Sequence, residues 1–336
     1  MKRVLLLGGY GFIGSQIRLL FEQHAELLTV TAPRSAELDL ITADEAAWDR
    51  LISHARPDVV VNATGRTTGT TRSLFEANVL LVSRLLACLQ RLSVSPWLVQ
   101  LGSAAEYGAT ALSRPVDEQD PCHPLSDYGI SKLAATHLIQ KALALQTVRG
   151  VVLRVFNPVG TGQGESTLPG RAARLLREAK AQGLDQVTFG SLASCRDYLD
   201  VRDVALATLV AARLGDEADN GLDDTQPLSN AFSPEAAHPH VLNVGSGRAR
   251  RSRELVECLA HLAGFTGRVS EESQGSPRSE VPWQQADIHR LRALGWDPHF
   301  TLEDALQDLW NSLPSLPPVP SPAVKPTASG STDKRS

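Results

Sequence analysis

No two of the four cysteines, Cys88, Cys122, Cys195 and Cys258, stand at a metal-ligand spacing. Zinc needs clustered soft ligands and a disulfide framework needs a small secreted chain, so neither organises this protein. Reduced thiols in a cytoplasm are the expectation. The histidines at 24, 54, 123, 137, 238, 240, 261, 289 and 299 show no metal spacing apart from His238 and His240, which sit in a polar stretch and read as solvated. No metal is expected. An excess of one charge sign is missing too: 33 Lys and Arg against 37 Asp and Glu leave a net charge of -4, with no basic stripe. Nucleic acid and membrane surfaces therefore drop out as expected partners. No apolar run reads as long enough to span a bilayer. Met1-Lys2-Arg3 ahead of Val4 imitates an export signal, but glycines break the run at once and no small-residue cleavage site follows. No internal repeat is present.

What remains is an alternation. Short apolar runs at Val4–Leu7, Leu27–Thr31, Val59–Asn62, Trp97–Leu101 and Gly150–Val155 are separated by helical stretches. These are Phe12–Phe21, Ala43–His54, Leu74–Leu92 and Tyr128–Leu145. Buried strands joined by crossover helices make a parallel sheet. Beyond Gly160 the alternation loosens. Helices are predicted at Leu168–Gln182, Val201–Arg213, Ser252–Ala263 and Leu302–Leu313, with strands at Val187–Phe189 and Val241–Val244. The polar segment 216–240 reads as an exposed loop, and the Pro/Ser/Thr-rich segment 313–336 as a disordered tail. The 336 residues exceed one ordinary core, so one large or two joined domains are expected.

Gly8, Gly11 and Gly14 lie between the first strand and the first helix. The first glycine permits a tight turn, the second lets backbone approach a pyrophosphate, and the third allows the helix to pack closely on the strand. The helix N-terminus adds N–H donors and a positive dipole. This placement predicts a Rossmann-type dinucleotide site. After the second strand comes Thr31-Ala32-Pro33-Arg34-Ser35, with no acid before Glu37. A guanidinium suits a 2'-phosphate better than a bare ribose hydroxyl, which favours NADP while leaving NAD open.

Tyr128 and Lys132 are four apart at the start of a predicted helix and so share a face. A phenol titrates near ~10, so a cation beneath it would bring it toward useful acid–base work. Ser103 follows the strand Trp97–Leu101, and open parallel sheets bind ligands beyond their C-terminal strand ends. A hydroxyl there can support a carbonyl oxygen as it gains charge.

With these residues stand Asn62-Ala63-Thr64-Gly65, Arg154-Val155-Phe156-Asn157-Pro158, Arg196-Asp197-Tyr198, Asn243 to Gly247 and Leu294-Gly295-Trp296. In this order, over roughly residues 1 to 312, the chain resembles the extended short-chain dehydrogenase/reductases. The branch it resembles is that of the NAD-dependent epimerases, dehydratases and reductases of nucleotide sugars. The resemblance implies an α/β fold: a doubly wound Rossmann sheet over 1–160, with returning segments near 187–213 and 241–250. A smaller α/β substrate region over 161–312 completes it. It makes Tyr128 the proton donor or acceptor, Lys132 the residue holding the nicotinamide ribose, and Ser103 the carbonyl-polarising hydroxyl. Cofactor contacts are implied at Gly8, Gly11, Phe12, Ile13, Gly14, Arg34, Ser35, Asp39, Leu40, Ala63, Thr64, Gly65, Asn78, Tyr128, Lys132 and Phe156. Substrate contacts are implied at Ser103, Ala104, Asn157, Leu168, Arg171, Arg196 and Arg278.

Within that branch, dehydratases resemble one another in carrying Thr-Asp-Glu where this chain has Ser103-Ala104-Ala105. Alanine cannot transfer protons, so dehydration is disfavoured. Ala105 also replaces the cysteine of epimerase-reductases. The stretch Gly102 to Gly108 looks most like the 4-ketoreductases of the GDP-4-keto-6-deoxymannose reductase type, needing hydride from the cofactor and one proton from tyrosine. Leu168-Pro169-Gly170-Arg171 departs from that pattern and leaves the nucleotide carrier open between GDP, dTDP and others. A 4-epimerase retaining its NAD is the alternative, and a non-catalytic cofactor sensor a more distant one. Glu106 is read as orienting backbone or facing substrate hydroxyls rather than as a second acid. The helix at 74–92 reads as apolar almost all round, and with leucines of the tyrosine helix predicts a four-helix homodimer interface.

Overall fold

The computed structural model describes residues 1–111, 113–219, 240–272 and 281–314. Most of the expected loop at 216–240, Arg278, and the tail past 314 lie outside the described residues.

Six strands form one parallel sheet: β1 (Lys2–Leu7), β2 (Leu28–Thr31), β3 (Val59–Asn62), β4 (Trp97–Ser103), β5 (Arg149–Val155) and β10 (Val241–Val244). Their order across the sheet is β10-β5-β4-β3-β1-β2. The chain goes from β1 outward to β2, then crosses back to β3 on the other side of β1. That reversal opens a crevice at the C-terminal ends of β1 and β3, where such sheets bind ligands.

Val and Leu dominate these strands because both faces are covered. Val4 and Leu6 pack with Ile17 and Phe21 of α1 (Phe12–Gln23) and with Val204 and Ala207 of α7 (Val201–Asp219). The alternate residues Leu5 and Leu7 face the opposite layer. There they meet Trp48 and Ile52 of α2 (Glu45–Ala55), Leu81 and Leu85 of α4 (Leu81–Arg91), and Ile139 of α5 (Asp127–Ala144).

The helix expected at 74–92 comes in three pieces: α3 (Thr71–Phe75), a π turn (Glu76–Leu80) and α4. It is not apolar all round. Leu74, Ala77, Leu81, Val82, Leu85 and Leu89 are buried, whereas Arg72, Ser83, Arg84 and Gln90 are exposed. By length and composition alone Thr71–Arg91 could cross a membrane, contrary to the sequence reading. Its buried stripe lies instead against the sheet, as a core crossover helix requires.

A separate core joins α6 (Leu168–Gln182), β7 (Gln186–Phe189), α8 (Ser252–Ala263) and α10 (Leu302–Asn311) through Leu176, Val187, Leu255, Leu259 and Leu306. β7 pairs with β12 (Arg268–Glu271) away from the main sheet. Two further short ladders, β6 (Pro158–Val159) with β9 (Leu199–Asp200) and β8 (Cys195–Asp197) with β11 (Ala249–Arg251), shape the ground beside the crevice.

Candidate active site

On the cofactor side the geometry is made of backbone. Gly8 has φ +79°, and a Cβ there would lie 2.9 Å from the Ala63 carbonyl carbon and the Thr64 nitrogen. A Cβ on Gly14 would lie 2.0 Å from the Gly8 oxygen, so glycine is what lets α1 start directly against the loop. The loop closes through the Gly11 N–H donating to the Gly8 carbonyl at 3.0 Å. No side chain caps α1, whose first N–H groups, those of Phe12 and Ile13, open onto the crevice end of the sheet. Across the switch point, Asn62 Oδ1 accepts from the Thr64 N–H and hydroxyl, and Asn62 Nδ2 donates to Gln100 Oε1 at 2.8 Å.

Arg34, three residues past β2, lies against the ring of Tyr10 in the glycine loop, 4.3 Å from its centre; Arg18 lies 4.9 Å from the same ring. Two guanidinium groups thus flank one loop tyrosine, a cation–π arrangement that holds positive charge beside the crevice. Ser35 is exposed nearby. Asp39 caps the turn into α2 through the Ile41 N–H, and Leu40 is buried in the sheet core. Asn78 is wholly engaged: Oδ1 accepts from the Arg66 N–H at 2.8 Å, while Nδ2 donates to the Arg66 carbonyl and to Ser131 Oγ. It thereby holds the Gly65 backbone, where a Cβ would stand 2.9 Å from Asn78 Oδ1.

The chemistry side begins at Ser103, the last residue of β4 and N-cap of a single 3-10 turn, Ala104–Glu106. Its Oγ accepts from the Ala105 N–H at 3.2 Å, and its hydroxyl hydrogen is given to the Tyr128 phenol beside it. Ser126 caps α5, so Tyr128 falls in the first turn and Lys132 one turn on, both at the sheet's C-terminal end. Burial raises the Tyr128 phenol above its ordinary range; a hydrogen bond from Ser103 opposes this and the charge of Glu106 adds to it. Burial lowers the Lys132 ammonium, against the pull of Glu106. The lysine does not set the phenol in this geometry: its Nζ donates to the Leu101 carbonyl at 2.6 Å. Phe156 is fully enclosed against Tyr107 and presents no surface to the crevice. Ala104 is buried as well, its carbonyl accepting from Gln284 Nε2 at 2.9 Å.

Toward the substrate region, Asn157 Nδ2 donates to the Asp197 carbonyl at 3.0 Å. Arg196 sits on β8 opposite Arg250, with Nη1 on the Cys195 carbonyl. Asp197 between them is fully buried and accepts four hydrogen bonds, from the Ser246 N–H and hydroxyl and the Gly247 and Ala286 N–H groups. Burial outweighs these bonds and pushes its carboxyl up to about 6. Leu168 and Arg171 open α6 behind the Thr167 cap, Arg171 exposed. No group of three or more metal-ligating side chains occurs among the described residues.

Residues 4–223 match the NAD dependent epimerase/dehydratase family. The chain belongs to this family. Among curated relatives, it is 34% identical to the dTDP-6-deoxy-L-talose 4-dehydrogenase (NAD(P)(+)) of Kitasatospora kifunensis, over 94% of this chain and 96% of that one. It is 28% identical to the GDP-6-deoxy-D-mannose reductase of Pseudomonas aeruginosa, over 93% and 98%. Among solved structures, RMD from Pseudomonas aeruginosa complexed with NADPH superposes with a TM-score of 0.78 at 26% identity, covering 93% of this chain and 98% of that one. The Thermus thermophilus UDP-glucose 4-epimerase complexed with NAD shares the fold, with a TM-score of 0.73 at 23% identity over 92% and 98%.

For a member of this family, several contacts around the crevice carried no local sequence signal. Arg18 reaches the glycine loop because α1 turns it back toward Gly9, whose carbonyl accepts from Arg18 Nε at 3.3 Å. Glu106 and Arg154 meet as a wholly buried pair although 48 positions apart. The Tyr107 hydroxyl donates to Asn243 Oδ1 at 2.6 Å across 136 positions.

Proposed function

We propose that this protein is an NADP-dependent oxidoreductase that reduces the 4-keto group of a nucleotide-linked 6-deoxy sugar. The observation that carries this is the meeting of Ser103, Tyr128 and Lys132 at the end of the sheet, on the same crevice as a glycine loop flanked by Arg34 and Arg18. The loop suits a dinucleotide because glycine at Gly8 and Gly14 lets the turn pack closely enough to bring the uncapped N–H groups of α1 to the crevice. The two arginines favour a 2'-phosphate. When bound, the nicotinamide supplies hydride to C4. Ser103 turns its hydroxyl hydrogen from the Tyr128 phenol to the carbonyl oxygen as charge develops there. Tyr128, its phenol held protonated by burial, gives the proton that completes the alcohol. Lys132, anchored on the Leu101 carbonyl, would hold the cofactor ribose. Ala104 and Ala105 offer no further acid or base, so the reaction ends with that single reduction. The name of the 34% identical relative favours dTDP as carrier over GDP.

A 4-epimerase that retains its cofactor would use the same serine, tyrosine and lysine. The test is to offer dTDP- and GDP-linked 4-keto-6-deoxy sugars with NADPH and NADH and follow the products by NMR. Steady, stoichiometric NADPH consumption is expected; sugar interconversion without net cofactor change would replace the reductase reading with the epimerase. Tyr128→Phe is expected to lower turnover at least about a hundredfold while cofactor binding stays within about threefold. We also infer a homodimer through the π turn, α4 and α5, where Leu80 of the π turn and Ile130 of α5 are exposed; light scattering tests it.

A further inference from the structure

The steps above make no use of Glu106, which is 0% exposed. Its Oε1 accepts from the Ser103 N–H at 2.8 Å. Its Oε2 accepts from the Thr136 hydroxyl at 2.9 Å and from Arg154 Nε at 2.9 Å. These partners belong to β4, α5 and β5, the three elements that carry Ser103, Tyr128 with Lys132, and the approach to Asn157. We propose that Glu106 is a positioning residue, one buried carboxylate that fixes the serine turn in register with the catalytic helix. The inference rests on Ser103, Tyr128 and Lys132 doing the chemistry.

Three observations support it. Thr136 is four residues past Lys132, on the same face of α5, so the carboxylate holds the helix one turn beyond the lysine. A Cβ on Gly102 would lie 2.7 Å from Glu106 Oε1, so the strand has a glycine where the carboxylate comes closest. Arg154 is itself held: its guanidinium lies 4.6 Å from the centre of the Tyr107 ring, and that tyrosine bonds to Asn243. With both oxygens engaged and no exposed surface, Glu106 has no path to substrate as an acid or base. A buried ion pair contributes little net stability compared with apolar packing, whereas it fixes geometry and is costly to break singly.

The charge has a second effect. The charged and titratable groups that sense it are Arg154 from β5, Tyr128 and Lys132 from α5, and Cys122 from the segment ahead of α5. On Tyr128 it adds to burial in keeping the phenol protonated, the state a reductase needs in its proton donor.

The test compares two double variants of the full-length protein with NADPH and the keto sugar, so that no lone charge stays buried. Glu106→Ala with Arg154→Met removes the tie. Its kcat is expected to fall at least about tenfold while KM for the sugar changes less than about threefold. Glu106→Gln with Arg154→Met keeps an acceptor for the Ser103 N–H. Here kcat is expected to recover to within about threefold of wild type, with the basic limb of its pH profile moved to lower pH as the phenol loses its negative neighbour. A folded alanine pair with kcat within about twofold of wild type would overturn the proposal, as would a glutamine pair equally impaired. Should neither fold, Thr136→Val removes one bond of the tie; a kcat loss of about two- to fivefold supports the proposal and an unchanged kcat overturns it. Full activity in Tyr128→Phe would instead sink the site assignment, which separates the two failures.

Discussion

The two walls of the crevice are built on opposite terms. The cofactor wall, from Gly8 to Gly14 and Asn62 to Gly65, is mainly backbone and works because side chains are missing. The chemistry wall is buried charge: Glu106 with Arg154, and Asp197 with its four donors. The first is broken by an added side chain at Gly8 or Gly14, where backbone already fills the space, and the second by a removed partner. The first carries its positive charge on the guanidinium groups of Arg18 and Arg34, which stay charged across the ordinary pH range, so pH should reach the site mainly through the second.

The sharpest way to break this contrast is at the glycines. Gly14→Ala places a methyl 2.0 Å from the Gly8 oxygen, where only backbone can yield, and is expected to cost at least about 3 kcal/mol of stability and most cofactor affinity. Gly11→Ala meets its nearest atom at 3.4 Å, so the melting temperature should stay within about 2 °C while NADPH binding weakens. Equal loss of stability in both would show that the third glycine is not a packing position. Thermal melts and cofactor titration measure the pair.

Asp197 comes next. Its folded value of about 6 exceeds the ordinary 3.8, so its share of the stability is full below about pH 4 and is lost as pH rises through 6. The loss amounts to roughly 3 kcal/mol. Asp197→Asn cannot titrate, and its urea-unfolding free energy should lack that part of the decline between pH 4 and 7. Parallel slopes for the two proteins would refute the assignment.

The smallest expected effect sharpens the cofactor wall. Arg34→Ala should lower the preference for NADPH over NADH about tenfold, roughly 1.4 kcal/mol, with little change in NADH kinetics. A comparable loss with both cofactors would mean that Arg34 supports the loop through Tyr10 and does not read the phosphate.

What could be read ahead of the structure follows the same division. The glycine loop, the sheet and the Tyr128–Lys132 pair are local patterns, since strand and helix periodicities and a four-residue spacing lie within a few positions. All six main strands and most helices were legible for that reason. Phe156, expected beside the cofactor, has its side chain fully buried against Tyr107 while Asn157 is half-open, because neighbours in a motif need not share a face. The short ladders β6·β9 and β8·β11 were invisible, being two or three residues long and defined only by their partners. Glu106 was read as orienting backbone or facing substrate hydroxyls; it holds the Ser103 N–H, and nothing local announces that Arg154 is its counter-ion.

The Ala104 carbonyl, held by Gln284 across 180 positions, sets an order of events during synthesis. Domains form from the N-terminus as the chain emerges. The glycine loop and its partner at Ala63 exist once about a fifth of the protein has been made. The serine turn waits for Asn243, which bonds Tyr107, and then for Gln284. A nascent chain therefore has the residues of its glycine loop long before it has Gln284, and the last bond to the serine turn can form only when most of the protein has been made.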